Sequence, residues 1–343
     1  MDNKKRDLYF DQLRGIAIVA VVLIHTTGTM TLFEKDNWNF QFLFDFRQIL
    51  NFAVALFVFL SGYFLSQKKI NNKKDYFVFL KKQLPKVLLP YLFYTTLLLV
   101  FGIFRNRNID LINIITTYLT GSALGPYYYI IVIVQYYLLL PLLQKINNRF
   151  GFIISIAINS LFFILLYLYR FKTNANIPLF FYGGFFPSWI VFFQGGLFLG
   201  KYGIKKIDKK YAISLIIITL LLCFVESNIW LYETSNISYA ISQSKFSSFL
   251  FSWSVIYFLI SYRFSINNVL LQIGKYSFGI YLIHIIIMIF ASKILALYPP
   301  LMDIQPLYQF LYLAITIGVS CMIIFSSKKI FPKWANSVFG FNQ

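Results

Sequence analysis

The chain has 343 residues, of which 59% are hydrophobic and only 13% charged, with 40 Phe, 25 Tyr and a formal net charge of +19. A mean hydropathy of +0.68 excludes an ordinary soluble domain, in which about a quarter of residues are charged. Apolar runs of about 18 residues or more recur along the chain and strands of alternating polarity are missing, so a β-barrel is excluded and an all-α, polytopic transmembrane helical bundle is expected.

Lys4, Lys5 and Arg6 precede the first apolar run, which Arg14 interrupts. No small-residue cleavage site follows, so the run reads as an uncleaved first helix rather than a signal peptide. Further runs lie near residues 44–65, 84–104, 127–144, 151–169, 187–203, 211–231, 247–262, 274–297 and 306–326, which makes about ten spans. Pro85 and Pro90 predict a kink or an interfacial entry at the start of the third, because proline removes a backbone donor. No repeat, linker or hinge divides the chain, and residues 1–343 read as a single integral membrane domain.

The basic residues test this segmentation. With both termini cytoplasmic, 22 of the 31 fall in inner segments, including Lys4, Lys5, Arg6 and seven lysines between Lys68 and Lys86. Eight fall in outer segments: Lys35, Arg47, Arg105, Arg107, Arg170, Lys172, Lys245 and Lys293. That excess supports ten spans with both ends inside, in a multi-pass protein of the cell membrane. The net charge is therefore mostly topology. Nucleic acid is not expected as a partner, since the aromatics sit in the spans and not among exposed basic residues. Cys223 and Cys321 each stand alone, which points to neither a disulfide nor a metal site. The outer loops near 28–43, 105–126, 170–186 and 232–246 read either as a substrate-facing rim or as plain connectors.

The chemistry concentrates between Asp11 and His25. Eleven positions separate Arg14 from His25, about 20° beyond three full turns, so both project from one helical face with a rise of roughly 16 Å between them. Asp11 precedes Arg14 by one turn and can supply it with a carboxylate. Intramembrane ionisable groups are by default functional candidates, and the two histidines of the chain, His25 and His284, both fall in predicted spans. The alternatives are a snorkelling anchor for Arg14 and a helix-bundling hydrogen bond for each histidine. Gly195, Gly196 and Gly200 have the spacing of close helix packing. Ser61 beside Gly62 either admits a substrate or caps a helix. Glu226, late in the seventh predicted span, is a further candidate for substrate binding. No Gly-x-Ser-x-Gly, His-Glu-x-x-His, Gly-Lys-Ser/Thr or Cys-x-x-Cys motif occurs.

Asp11-Gln12-Leu13-Arg14-Gly15-Ile16-Ala17, followed by His25, resembles the signature of the acyltransferase-3 family of integral membrane acyltransferases. Further similarities follow in order. Phe57-Val58-Phe59-Leu60-Ser61-Gly62-Tyr63 is similar to its second-helix motif, Lys81-Lys82 through Lys86 to Pro90-Tyr91 to its basic entry to the third helix, and Tyr136 to Leu142 to its Tyr-Leu-x-x-Pro stretch. Gly274 to His284 is similar to its Gly-x-x-Ser-x-x-x-Tyr-Leu-x-His element. Lysines stand where arginines are usual near 81–86, and an ammonium is the poorer bidentate partner for phosphate. Tyr127-Tyr128-Tyr129 stands where a Trp-containing pattern is common.

The resemblance implies transfer of an acyl group, usually acetyl and sometimes succinyl, from cytoplasmic acyl-CoA to a hydroxyl of a surface glycan or glycolipid, with membrane lipids around it and no tightly bound cofactor or metal. The length resembles stand-alone members that modify exported or cell-envelope polysaccharide. It makes Lys82 and Lys86 candidates for donor binding. A mechanism needs a base and a group that stabilises an oxyanion. His25 is the expected base, since imidazole titrates near working pH, and Arg14, oriented by Asp11, would hold the CoA phosphates or an acceptor charge. Tyr281 and His284 are expected to line the same cavity. Two rival readings are a transporter or flippase for polysaccharide or lipid-linked sugar, and a structural subunit of a synthase complex.

Overall fold

The computed structural model describes residues 7–105, 110–173 and 177–341. Lys4, Lys5, Arg6 and Arg107 of the charge pattern lie outside the described residues. No strand occurs among those described, and helices stand at all ten expected positions. Among the described residues, eight segments are long and apolar enough to cross a membrane. At the two other expected positions stand Ile190–Tyr202 and Phe246–Ser261, of 13 and 16 residues.

Helix α1 (Leu8–Thr26) starts where the Asp7 carboxylate accepts the Tyr9 amide, and a 3₁₀ turn prolongs it to Leu32. The second span is two helices, α2 (Trp38–Ile49) and α3 (Phe52–Leu65), broken at Leu50–Asn51. The Asn51 amide ties the break down by donating to Gln48 and, 3.0 Å away, to Ser248. Helix α4 runs from Lys73 to Phe104, eleven residues earlier than the apolar run suggests. Asn72 caps it by accepting the Asp75 amide at 2.9 Å, and its lysines extend the helix beyond the apolar part with good propensity. Pro85 and Pro90 lie inside it.

Next come α5 (Leu111–Thr120), α6 (Tyr128–Lys145), α7 (Arg149–Thr173), α8 (Ile190–Tyr202) and α9 (Lys209–Thr234). The stretch 105–126, expected as a loop, contains α5, which Asp110 caps and Gly121 ends in the left-handed conformation with φ 72°. Then follow α10 (Ile237–Ala240), α11 (Phe246–Ser261), α12 (Asn268–Lys275), α13 (Ser277–Leu295), α14 (Leu307–Ile330) and α15 (Pro332–Ser337). The expected span 274–297 is thus divided at Tyr276.

Two apolar cores share α1. Its first half (Tyr9, Phe10, Leu13, Ala17) packs with residues of α3, α6, α8 and α11, and its second half (Ile18 to Ile24) with α13 and α14. Glycine sets the two tightest crossings. A Cβ on Gly15 would stand 2.0 Å from the Leu270 carbonyl oxygen, and one on Gly274 would stand 1.7 Å from that of Asp11, so α12 lies directly across α1. Likewise a Cβ on Gly62 or Gly196 would collide with the backbone of α8 or α3, while Gly200 abuts Ser66 and Gly195 abuts Trp253. The glycines at 195, 196 and 200 are packing residues, as their spacing suggests.

Candidate functional site

A cavity of about 500 Å³ runs alongside α1. Arg14, Val21, Ile24 and His25 all line it, so the face that the helical period gives Arg14 and His25 is the face that looks into the void. Near Arg14 the wall is completed by Ser61, Tyr137, Lys275 and Ser277. Toward the other end of α1 it is completed by Arg47, Tyr128, Tyr182 and Ser242-Gln243-Ser244. Among the described residues, Arg14, His25, Arg47 and Lys275 line the void, and no Asp or Glu does.

The Asp-Gln-Leu-Arg-Gly stretch divides its work by helical face. Arg14 points to the cavity, and its Nη1 donates to Asp11 Oδ1 at 3.0 Å, with Asp11 only 2% exposed. Asp11 itself does not line the void; it stands behind the guanidinium. Arg14 also lies 4.8 Å from the centre of the Phe64 ring, which adds a cation–π contact. Gln12 is fully buried and holds the segment before α12 from both sides, donating to the Ser265 carbonyl at 3.2 Å and accepting the Asn267 amide. Gly15 then admits α12, whose last residue is Lys275. The motif therefore builds one arginine site and brings a second cation to it.

At the far end, the His25 ring lies 5.3 Å, centre to centre, from that of His284. His284 is fully buried and stands behind His25 instead of lining the void. Its Nδ1 lies 2.7 Å from the Tyr281 carbonyl and 3.2 Å from that of Ile280. Since carbonyls only accept, Nδ1 carries the hydrogen and Nε2 is left as an acceptor, with no partner among the described residues. Tyr281 does line the cavity, with its hydroxyl donating to the Pro126 carbonyl. Ser61 lines it too, its hydroxyl donating to the Phe57 carbonyl at 2.9 Å.

Three expected site residues lie elsewhere. Lys82 and Lys86 are on the exposed face of α4, and the residue of that helix which reaches the cavity is Val87, about 100° around from Lys86. Glu226 belongs to a separate clasp. It accepts from the Tyr167 hydroxyl and, at 2.8 Å, from the Ser247 amide, which neutralises an unpaired donor at the start of α11. Arg47 and Lys275 are lining residues that the sequence reading counted only as loop charges. For Arg47 a signal existed, since it falls inside the run 44–65 and is thus an arginine in an apolar segment, as Arg14 is. Among the described residues no group of three or more His, Cys, Asp or Glu could hold a metal.

The arrangement offers a base candidate, two cations at one end and a third at the other, in a void sheltered by aromatic walls. No curated protein and no solved structure matches the chain at a significant level. A family model described as an acyltransferase domain matches residues 7–325, nearly the whole chain. The chain therefore belongs to the acyltransferase-3 family and is a multi-pass membrane O-acyltransferase.

Proposed function

We propose that the enzyme transfers an acyl group, acetyl in the first instance, from cytoplasmic acyl-CoA to a hydroxyl of an exported or cell-surface glycan at the plasma membrane. The observation that supports this is one cavity with Arg14 and Lys275 at one end and His25 at the other. Two cations suit the CoA phosphates. The basic excess of the inner segments orients that end toward the cytoplasm. The roughly 16 Å of helix between Arg14 and His25 leaves room for the extended arm of the coenzyme.

In this reading His25 accepts the proton of the acceptor hydroxyl as its oxygen attacks the thioester carbon. A C–O bond forms, the C–S bond breaks, and the imidazolium returns the proton to the departing CoA thiolate. Asp11 fixes the Arg14 guanidinium, and Tyr281 and Ser61 shape the void between the ends. His284 packs behind His25 and holds the ring in place. Lys82 and Lys86, exposed on α4, could meet a donor only before it enters.

Membranes supplied with labelled acetyl-CoA and envelope glycan test the reading. CoA should be released and label should enter the glycan. His25→Ala should lower that rate by about 10²–10⁴-fold while the detergent-solubilised protein keeps its melting temperature. Full activity in the variant would overturn the assignment of the base. Mass analysis of envelope glycans with and without the protein would then identify substituent and acceptor.

A further inference from the structure

We propose that the acceptor is an anionic glycan, with a carboxylate or phosphate close to the hydroxyl that is acylated, and that Arg47 is the anchor for that anion. This rests on the acyl-transfer reading above and names its second substrate.

Arg47 comes from the last turn of α2 and lines the cavity beside His25. Its Nη1 donates to the carbonyl of Ile24, the residue before His25, and lies 3.4 Å from the Thr27 hydroxyl. Its Nε is buried with no partner. Among the described residues the ion pairs are Arg14–Asp11 and Arg263–Asp7, so no carboxylate lies within 4.0 Å of the Arg47 guanidinium. A guanidinium at membrane depth that lacks a carboxylate is costly unless an anion joins it.

The surroundings increase the imbalance. Arg170, 1% exposed, lies between the ring of Tyr182, a cavity residue, at 4.9 Å and that of Tyr239 at 4.6 Å, and its Nε and Nη1 are unpaired. Lys245, fully buried, donates to Gln48, the neighbour of Arg47, at 2.9 Å. Among the described residues no nearby carboxylate lines the void to offset the charge of Arg47. Glu226 is taken up by Tyr167 and Ser247, and Asp45 projects about 200° around α2 from Arg47 and does not line the cavity.

The donor does not explain Arg47. With its phosphates at Arg14 and Lys275, acetyl-CoA presents a neutral acyl group at this end. The other groups here are Tyr182, Ser242, Gln243 and Ser244, hydroxyls and an amide that suit sugar hydroxyls. A sugar held by its acidic group on Arg47 places a neighbouring hydroxyl beside His25.

The test uses the full-length protein in detergent and three probes: a uronic acid tetrasaccharide, the same tetrasaccharide with its carboxyls reduced to alcohols, and a phosphorylated sugar. Binding is read as a rise in melting temperature, and turnover as CoA release from acetyl-CoA. An anionic probe should bind at least about tenfold more tightly than the reduced one. Whether uronide or phosphosugar wins tells carboxylate from phosphate. Arg47→Gln should abolish the preference and Arg47→Lys should keep part of it. Should Arg47→Gln not fold, the three probes on the native protein decide alone. Equal binding of acidic and reduced tetrasaccharide, or no binding by any probe, overturns the proposal. So does an Arg47→Gln effect confined to succinyl-CoA against acetyl-CoA, which would place the anion on the donor. A uronide that binds without CoA release from any acceptor would instead overturn the acyl-transfer reading.

Discussion

Lys245 stands immediately before α11 with no exposed surface, and its three ammonium hydrogens are met by Gln48, Ser227 and the Ala240 carbonyl. Burial lowers its pKa from 10.5 to about 8, and the Glu226 carboxylate offsets only part of that shift. Between those two values the unfolded chain holds more protons than the folded one, so stability rises as the pH rises through the window. Below about 8 both states are charged and the whole cost of burying the ammonium is felt. Denaturation in detergent should therefore show a gain in stability from about pH 8 to 10.5, and Lys245→Met should flatten it. At this scale the sequence was informative where one helix decides the geometry. Arg14 and His25 share a face because the helical period says so, whereas the positions of Lys82, Lys86 and Glu226 depend on which side of α4 or α9 meets its neighbours, and that is tertiary information.

At the scale of elements, the crossings of α1 with α12 and of α3 with α8 fix the cavity walls, and both depend on the absence of a side chain. Gly15→Ala should cost about 1–3 kcal/mol or more, because the group met is a backbone carbonyl at 2.0 Å, which has little freedom to move. Gly318→Ala in α14 is the matched control. Nothing lies within 4 Å of its new Cβ, so it should be neutral or stabilise by up to about 1 kcal/mol through helix propensity. Thermal melts of the two variants in one detergent check the contrast. The apolar helices were legible from hydropathy, but their ends were not. The basic start of α4 is polar and yet helical, α5 hides in a stretch that reads as loop, and the breaks at Asn51 and Tyr276 occur inside apolar runs. Hydropathy reports the solvent of a segment, while caps and glycine contacts decide where the helix stops.

For the molecule as a whole, the cavity joins two ends of α1 that the charge pattern assigns to opposite sides of the membrane. Lys74 lies in the first turn of α4, just beyond α3, whose Phe64 lies under Arg14, and Asp36 follows the far end of α1; both are exposed. Cys223 is buried and Cys321 half-buried, so a background without Cys321 leaves little native labelling. An impermeant maleimide should modify Asp36→Cys in intact cells and Lys74→Cys only after the membrane is opened. The reverse pattern would invert the donor and acceptor ends.

That α1 is shared by both cores has a consequence for synthesis. Its first half is notched for α12, and Gln12 waits for a backbone partner 253 residues further on. At ordinary translation rates that partner emerges roughly 10–50 s later. During this interval an arginine-bearing helix has left the ribosome while α12, α13 and α14 are still unmade. A helix made early is therefore enclosed only when partners made much later arrive, and the reaction chamber exists only once α13 has brought Tyr281 to its wall.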